Sequence, residues 1–100
     1  MDRLREMLIA VLEAYTGTAY NGYSYLTSSA DQHHFVVTSI GTVQGKRIVN
    51  IGLVVQLSDD TIIIDHDINN KPLVDALVQA GIPRTQIILA YAGEPVPETI

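Results

Sequence analysis

Apolar positions near the N-terminus recur with the spacing of a helix. Leu4, Met7, Leu8, Val11, Leu12 and Tyr15 follow the i, i+3, i+4, i+7 pattern that gathers side chains on one stripe, so Asp2 to Tyr15 is predicted to be an amphipathic helix. Residues 16–22 then turn rich in Gly, Thr and Asn, and Tyr23 to Ser29 alternates tyrosine with small polar residues, the pattern of an edge strand. Three denser segments follow, His33 to Val43, Lys46 to Leu57 and Thr61 to Asp67, all rich in Val, Ile and Leu. They are joined by Gln44-Gly45 and Asp59-Asp60, pairs that tolerate the positive φ of two-residue hairpin turns, so an antiparallel meander is predicted. Asn69 and Asn70 can cap a second helix with Pro72 in its first turn, Leu73, Val74, Leu77 and Val78 as its stripe, and Gly81 at its end. A short apolar strand, Gln86 to Tyr91, precedes a loose tail over residues 91–100 marked by Gly93, Pro95 and Pro97. The order α-β-β-β-β-α-β predicts an α+β fold, with two helices packed on one face of a mainly antiparallel sheet, as a single domain over residues 1–100.

Regular two-residue hairpins also predict which residues share a face. Val43 opposite Lys46 puts Val36 opposite Leu53, and Ser58 opposite Thr61 puts Leu53 opposite His66. On this register the core face carries Val36, Ile40, Val49, Ile51, Leu53, Val55, Leu57, Ile62 and Ile64, with His34 and His66 at its far end. The opposite face carries Phe35, Val37, Ile48, Val54 and Ile63 among Ser39, Asn50, Gln56, Asp65 and Asp67. An apolar centre with a polar surround suits a protein interface, so Phe35, Val37, Val54 and Ile63 are the candidate contact residues.

Composition narrows the chemistry. Hydrophobic residues make up 47% of the chain and charged residues 17%, below the roughly 25% of an average soluble domain, which favours a surface that takes a partner or a second copy. Net charge is −5, and apart from Lys46-Arg47 the basic residues stand singly, against direct nucleic-acid binding by the isolated subunit. Without cysteine there is no disulfide, thiolate zinc site or cysteine nucleophile. No signal peptide is evident, and no apolar run approaches the about 20 residues of a membrane span.

The triplet Asp65-His66-Asp67 is the densest concentration of catalytic residue types. Side chains alternate along a regular strand, so the two carboxylates point away from His66, and His34 and His66 sit about 12 Å apart by strand spacing and rise. A single metal ion therefore does not collect both imidazoles. Asp65 and Asp67 share a face as a possible Mg²⁺ or acid-base pair, the basis of the alternative reading as a metal-dependent hydrolase or nuclease subunit using a histidine. Against it, Asp67 precedes a helix whose free N–H groups it can accept from, Asp65 suits a solvated strand position, and His66 a hydrogen-bonded rim. His33 has no positioned serine or acid, and no glycine cluster forms a phosphate cradle. No catalytic, metal or cofactor residue is assigned.

The segments "HHFVVTSIG", "QGKRIVNIGLVVQLSDDTIIIDHD", "LVDALVQAGIPRTQIILAY" and "EPVPE" resemble the XisI family, the fdxN element excision controlling factor proteins. The resemblance runs from about His33 to Tyr91. Its most specific part is a strand ending His66-Asp67, an amphipathic helix, then Gly81-Ile82-Pro83 and Ile87-Ile88-Leu89-Ala90-Tyr91. It implies a small cytoplasmic accessory protein associated with a XisH-like partner and with control of the removal of a DNA element by a separate recombinase. Together with the apolar-rich composition, this leads us to expect that the chain binds that partner and also itself, as a homo-oligomer. The chain departs from the family pattern at Thr42, where members commonly carry a tryptophan.

Overall fold

A computed structural model describes residues 3–97, which fold as α1 (Arg3–Glu13), β1 (Gly17–Ala19), β2 (Gly22–Ser28), β3 (His34–Val43), β4 (Lys46–Ser58), β5 (Thr61–Asp67), α2 (Leu73–Gln79) and β6 (Ile87–Leu89). Asp2, expected in the first helix, lies outside the described residues. The strands lie side by side in sequence order, and every neighbouring pair is antiparallel except β5 and β6, where α2 carries the chain back to start a parallel partner. This is the α+β architecture expected, with β1 as an additional strand. The turn-rich residues 16–22 supply it, because Gly17 to Ala19 hydrogen-bond to β2 as a short edge.

The core forms where both helices press on one face of the sheet. Leu8 and Leu12 from α1, Leu73 and Leu77 from α2, and Ile82 and Ile87 cover Phe35, Val37, Leu53, Val55, Leu57, Ile62 and Ile64. The periodicity in α1 and α2 does most of what its spacing requires, since Leu8, Leu12, Leu73 and Leu77 are buried, but Val78, expected in the α2 stripe, is 43% exposed because it falls at the end of the seven-residue helix. Gly81, at φ +106°, ends α2 in a conformation that a side chain disfavours. Pro72 occupies the N-cap position with no side-chain cap. The expected capping by Asn69 and Asn70 is replaced by the Asp67 carboxylate, whose Oδ2 accepts from the Leu73 N–H at 2.7 Å.

Two bulges overturn the face assignment made from regular hairpins. Beyond the Gln44-Gly45 turn the expected pairs hold: Val43 faces Lys46, Ile40 faces Val49 and Thr38 faces Ile51. The register then slips by one at Gly52, so Val37 faces Leu53 and Phe35 faces Val55. A second slip falls at Asp65, where Val55 still faces Ile64 but Val54 faces His66 and Leu53 faces Asp67. A one-residue slip sends every later side chain to the other face. Phe35 and Val37, expected on the partner-facing side, are accordingly core residues and offer nothing to a partner. Val36, Ile40, Val49 and Ile51, expected in the core, lie on the face that no helix covers, as do His34 and His66. Ile63 keeps its predicted face but is fully buried there, and Val54 keeps its face with partial exposure.

The molecule is elongated, 44 × 28 × 27 Å, because the sheet outruns its helices. The distal parts of β1 to β4 form an arm beyond the helical cover, and all of Lys46 to Ile51 is exposed. Gly22 lets β2 and β3 close up in this arm, since a Cβ there would run into the Ile40 carbonyl.

Candidate functional site

Asp65, His66 and Asp67 part company in space. His66 lies on the helix-free face and its Nε2 bonds the Ile51 carbonyl at 3.0 Å. Asp65 accepts from Gln56 Nε2 at 2.7 Å. Asp67 pairs with Leu53 on the helix side, where its two oxygens take the Leu73 N–H, the Asn69 N–H and Asn69 Nδ2. The two carboxylates are thus not the same-face pair that acid-base or Mg²⁺ chemistry needs. Among the described residues, no three of His, Asp and Glu gather at metal-binding separation.

These side chains have another job, which is to satisfy the Gly52 bulge. A bulge leaves backbone groups without ladder partners. Here the Gly52 carbonyl accepts from the Ile68 N–H at 3.2 Å and from Asn69 Nδ2 at 3.0 Å, while the Ile51 carbonyl takes the His66 ring. Asp67 orients Asn69 and the start of α2 together. The segment His66 to Asn69 is a latch that fixes the bulge and hence which side chains face out. Tyr15 adds to it by donating to the Lys71 carbonyl, and burial, with the negative charges of Asp67 and Asp75 nearby, pushes its hydroxyl pKa up.

The outer face is where chemistry is left unspent. Its distal half presents two cross-strand rows, Tyr23–Ile40–Val49 and Tyr25–Thr38–Ile51. Tyr23, Tyr25, Val49 and Ile51 are 45%, 41%, 58% and 48% exposed, and the two tyrosine rings lie 6.0 Å apart between centroids. Large apolar side chains side by side on an open sheet are the signature of a covered surface. Toward the base the face continues through Val36 and Val54 to Gln56, Asp65 and His66. Arg47, at the distal end opposite Thr42, has no ion-pair partner among the described residues. The surface was missed from sequence because its detection depends on the Gly52 slip; the isolated glycine within an otherwise apolar strand was the available signal.

Other polar groups act locally. Asp31 accepts from the Ser29 hydroxyl and the His33 N–H, which hold its carboxyl below its ordinary value, and its Oδ2 lies 3.5 Å from His33 Nδ1. Glu94 accepts from the Leu89 N–H and pairs with Arg84 at 2.7 Å, also lowering its pKa, so the start of the predicted loose tail is tied down; residues 98–100 lie outside the described residues. An open cleft of about 440 Å³ lies on the helix side of the arm, floored by small residues including Ser24 and Ser39, whose hydroxyls bond each other at 2.7 Å. Among the described residues no helix is long and apolar enough to cross a membrane.

A model of the XisI protein family matches residues 1–98. The chain belongs to the XisI family. Two solved structures from Anabaena variabilis ATCC 29413 have the same fold. One, the fdxN element excision controlling factor XisI, is 24% identical, with 95% of this chain and 92% of that one covered at a TM-score of 0.63. The other, a XisI-like protein, is 17% identical over 86% of this chain and 78% of that one, also at a TM-score of 0.63. Comparison with curated proteins gives no match. Within this XisI-family chain, the strand ending His66-Asp67 and the helix after it are the segments that form the latch.

Proposed function

We propose that this XisI-family chain is an accessory controlling factor that performs no chemistry of its own and acts by docking on other proteins in the cytoplasm. The observation that carries the reading is the helix-free face of the sheet, where Tyr23, Tyr25, Val49 and Ile51 stand exposed in adjacent rows while Asp65, His66 and Asp67 are spent on backbone and side-chain hydrogen bonds. Burying such rows supplies about 25 cal/mol per Å² of apolar surface removed from water, the usual driving force for association. Family membership and the name of the Anabaena relative support a role in controlling excision of a DNA element. The docking partner in this reading is a XisH-like protein, and the strand chemistry belongs to a separate recombinase.

Co-expression with a XisH-like protein tests this directly. The wild-type chain is expected to co-purify with it, and Val49→Arg to lose it while its circular dichroism spectrum stays unchanged. Undiminished capture by Val49→Arg would reject docking through this face.

A further inference from the structure

We infer that the occupant of the outer face is a second copy of this chain, packed sheet against sheet about a two-fold axis that passes beside Ile51. The inference rests on the docking reading above and specifies what docks.

The argument starts from charge. A two-fold interface is isologous, so the surface must complement itself: wherever residue i meets j, residue j meets i. On the outer face of β3 to β5 the acidic and basic side chains are Arg47 at the distal end and Asp65 at the base, of opposite sign, with His34 and His66 also at the base and apolar or neutral polar residues between. Turning one sheet over so that its strands run antiparallel to those of its partner superposes each end on the other's opposite end. Arg47 then meets the partner's Asp65 twice over, once at each edge. The parallel arrangement instead stacks like on like. Arg47 is exposed and has no ion pair among the described residues, whereas half-buried Asp65 gives Oδ2 to Gln56 and leaves Oδ1 as the acceptor for the partner's guanidinium.

The midpoint of β4 between these ends is Ile51, 48% exposed, which meets its own counterpart across the axis. Its row continues through Thr38 to Tyr25, and the next through Val49 and Ile40 to Tyr23, so the centre of the contact is apolar and its ends are charged. Size agrees with the assignment. Four strands at about 4.8 Å spacing and some eight residues at about 3.4 Å rise span roughly 500 Å² of sheet plane, and side-chain relief lifts the accessible area toward the roughly 800 Å² per partner of a stable interface. Two sheets stacked about 10 Å apart make a sandwich in which each arm receives the cover that α1 and α2 are too short to give.

Sedimentation of the full chain, with charge reversal, tests the arrangement. The wild type is expected to sediment as a dimer at micromolar concentration. Arg47→Glu and Asp65→Lys should each raise the dimer dissociation constant by about tenfold or more, and the double variant should recover most of the loss, because the two reversed charges face each other across the axis. A wild type that is monomeric at 100-fold higher concentration, single variants that dimerise like wild type, or a double variant no better than the singles would each overturn the inference. Should Asp65→Lys fail to fold, cysteine placement decides instead, since the chain has no cysteine of its own. Ile51→Cys is expected to oxidise to a covalent dimer and Arg47→Cys to remain monomeric in denaturing gels; the reverse pattern, or neither cross-linking, refutes the axis. A monomeric protein that still captures a XisH-like partner overturns the second copy and leaves the docking reading standing. A charge-rescued dimer that captures no such partner supports the second copy and removes that partner from the docking reading.

Discussion

The two halves of β4 are built from similar residues and meet opposite fates. Ile48, Val49 and Ile51 in the distal half are exposed, whereas Leu53, Val55 and Leu57 in the proximal half are buried. Strand propensity does not separate them, because both are rich in β-branched and aliphatic side chains. What separates them is reach. At about 1.5 Å per residue, the 11 residues of α1 span roughly 16 Å, while the 13 residues of β4 extend over roughly 43 Å at about 3.3 Å each. Together with the still shorter, seven-residue α2, α1 covers only one end of the sheet. The comparison teaches that the apolar content of the arm is surplus to the monomer, and Gly52 marks the border.

Truncation on either side of that border should break the symmetry of composition most forcefully. Leu53→Ala is expected to cost about 2–5 kcal/mol, the penalty of a fully buried leucine that leaves a cavity, while Ile51→Ala costs under about 0.5 kcal/mol when measured on the monomer by urea denaturation. Equal losses would show that the arm is packed after all.

The latch should give the next largest effect. Asp67→Ala removes the acceptor for the Leu73 and Asn69 N–H groups and frees Asn69 from the Gly52 carbonyl, for an expected loss of about 1–3 kcal/mol. Because the latch fixes the bulge, protection of the Gly52 and Leu53 amides in hydrogen exchange should fall with it. Retained protection would separate the latch from the bulge.

Smallest of all is the clamp at the far edge of the base. Glu94 is held below its ordinary pKa by the Leu89 N–H and by Arg84, so the folded state favours its charged form. Its contribution is therefore complete above the ordinary glutamate pKa of about 4.3 and lost as pH falls through the lower folded value. Acid unfolding of Glu94→Gln should show a slightly shallower dependence on pH below about 4 than the wild type, with no difference near pH 7. A difference at neutral pH alone would mean that the tail is held by something other than charge.

Much of this was legible in local pattern. The stripes of α1 and α2, the Gln44-Gly45 and Asp59-Asp60 turns and the bounds of β5 follow from spacing and turn chemistry, which act over a few residues. The structural role of Asp67 was legible too, since a carboxylate just before a helix has a ready donor. The docking face was not. Its candidates were drawn from pairing counted outward from the turns, and that count is right for Ile40 with Val49 and for Val55 with Ile64, then fails by one residue past each bulge.

The chain by itself determined every element but the short edge strand β1, the order of those elements and the family to which it belongs, because periodicity, turn residues and motif segments are local. Only the tertiary structure decided the faces. A glycine in a strand permits a bulge without requiring one, and the slip at Gly52 is held by carbonyl acceptors that Asn69 and His66 reach from the far end of the next strand. Long-range hydrogen bonds thus turned Phe35 and Val37 inward and Val49 and Ile51 outward.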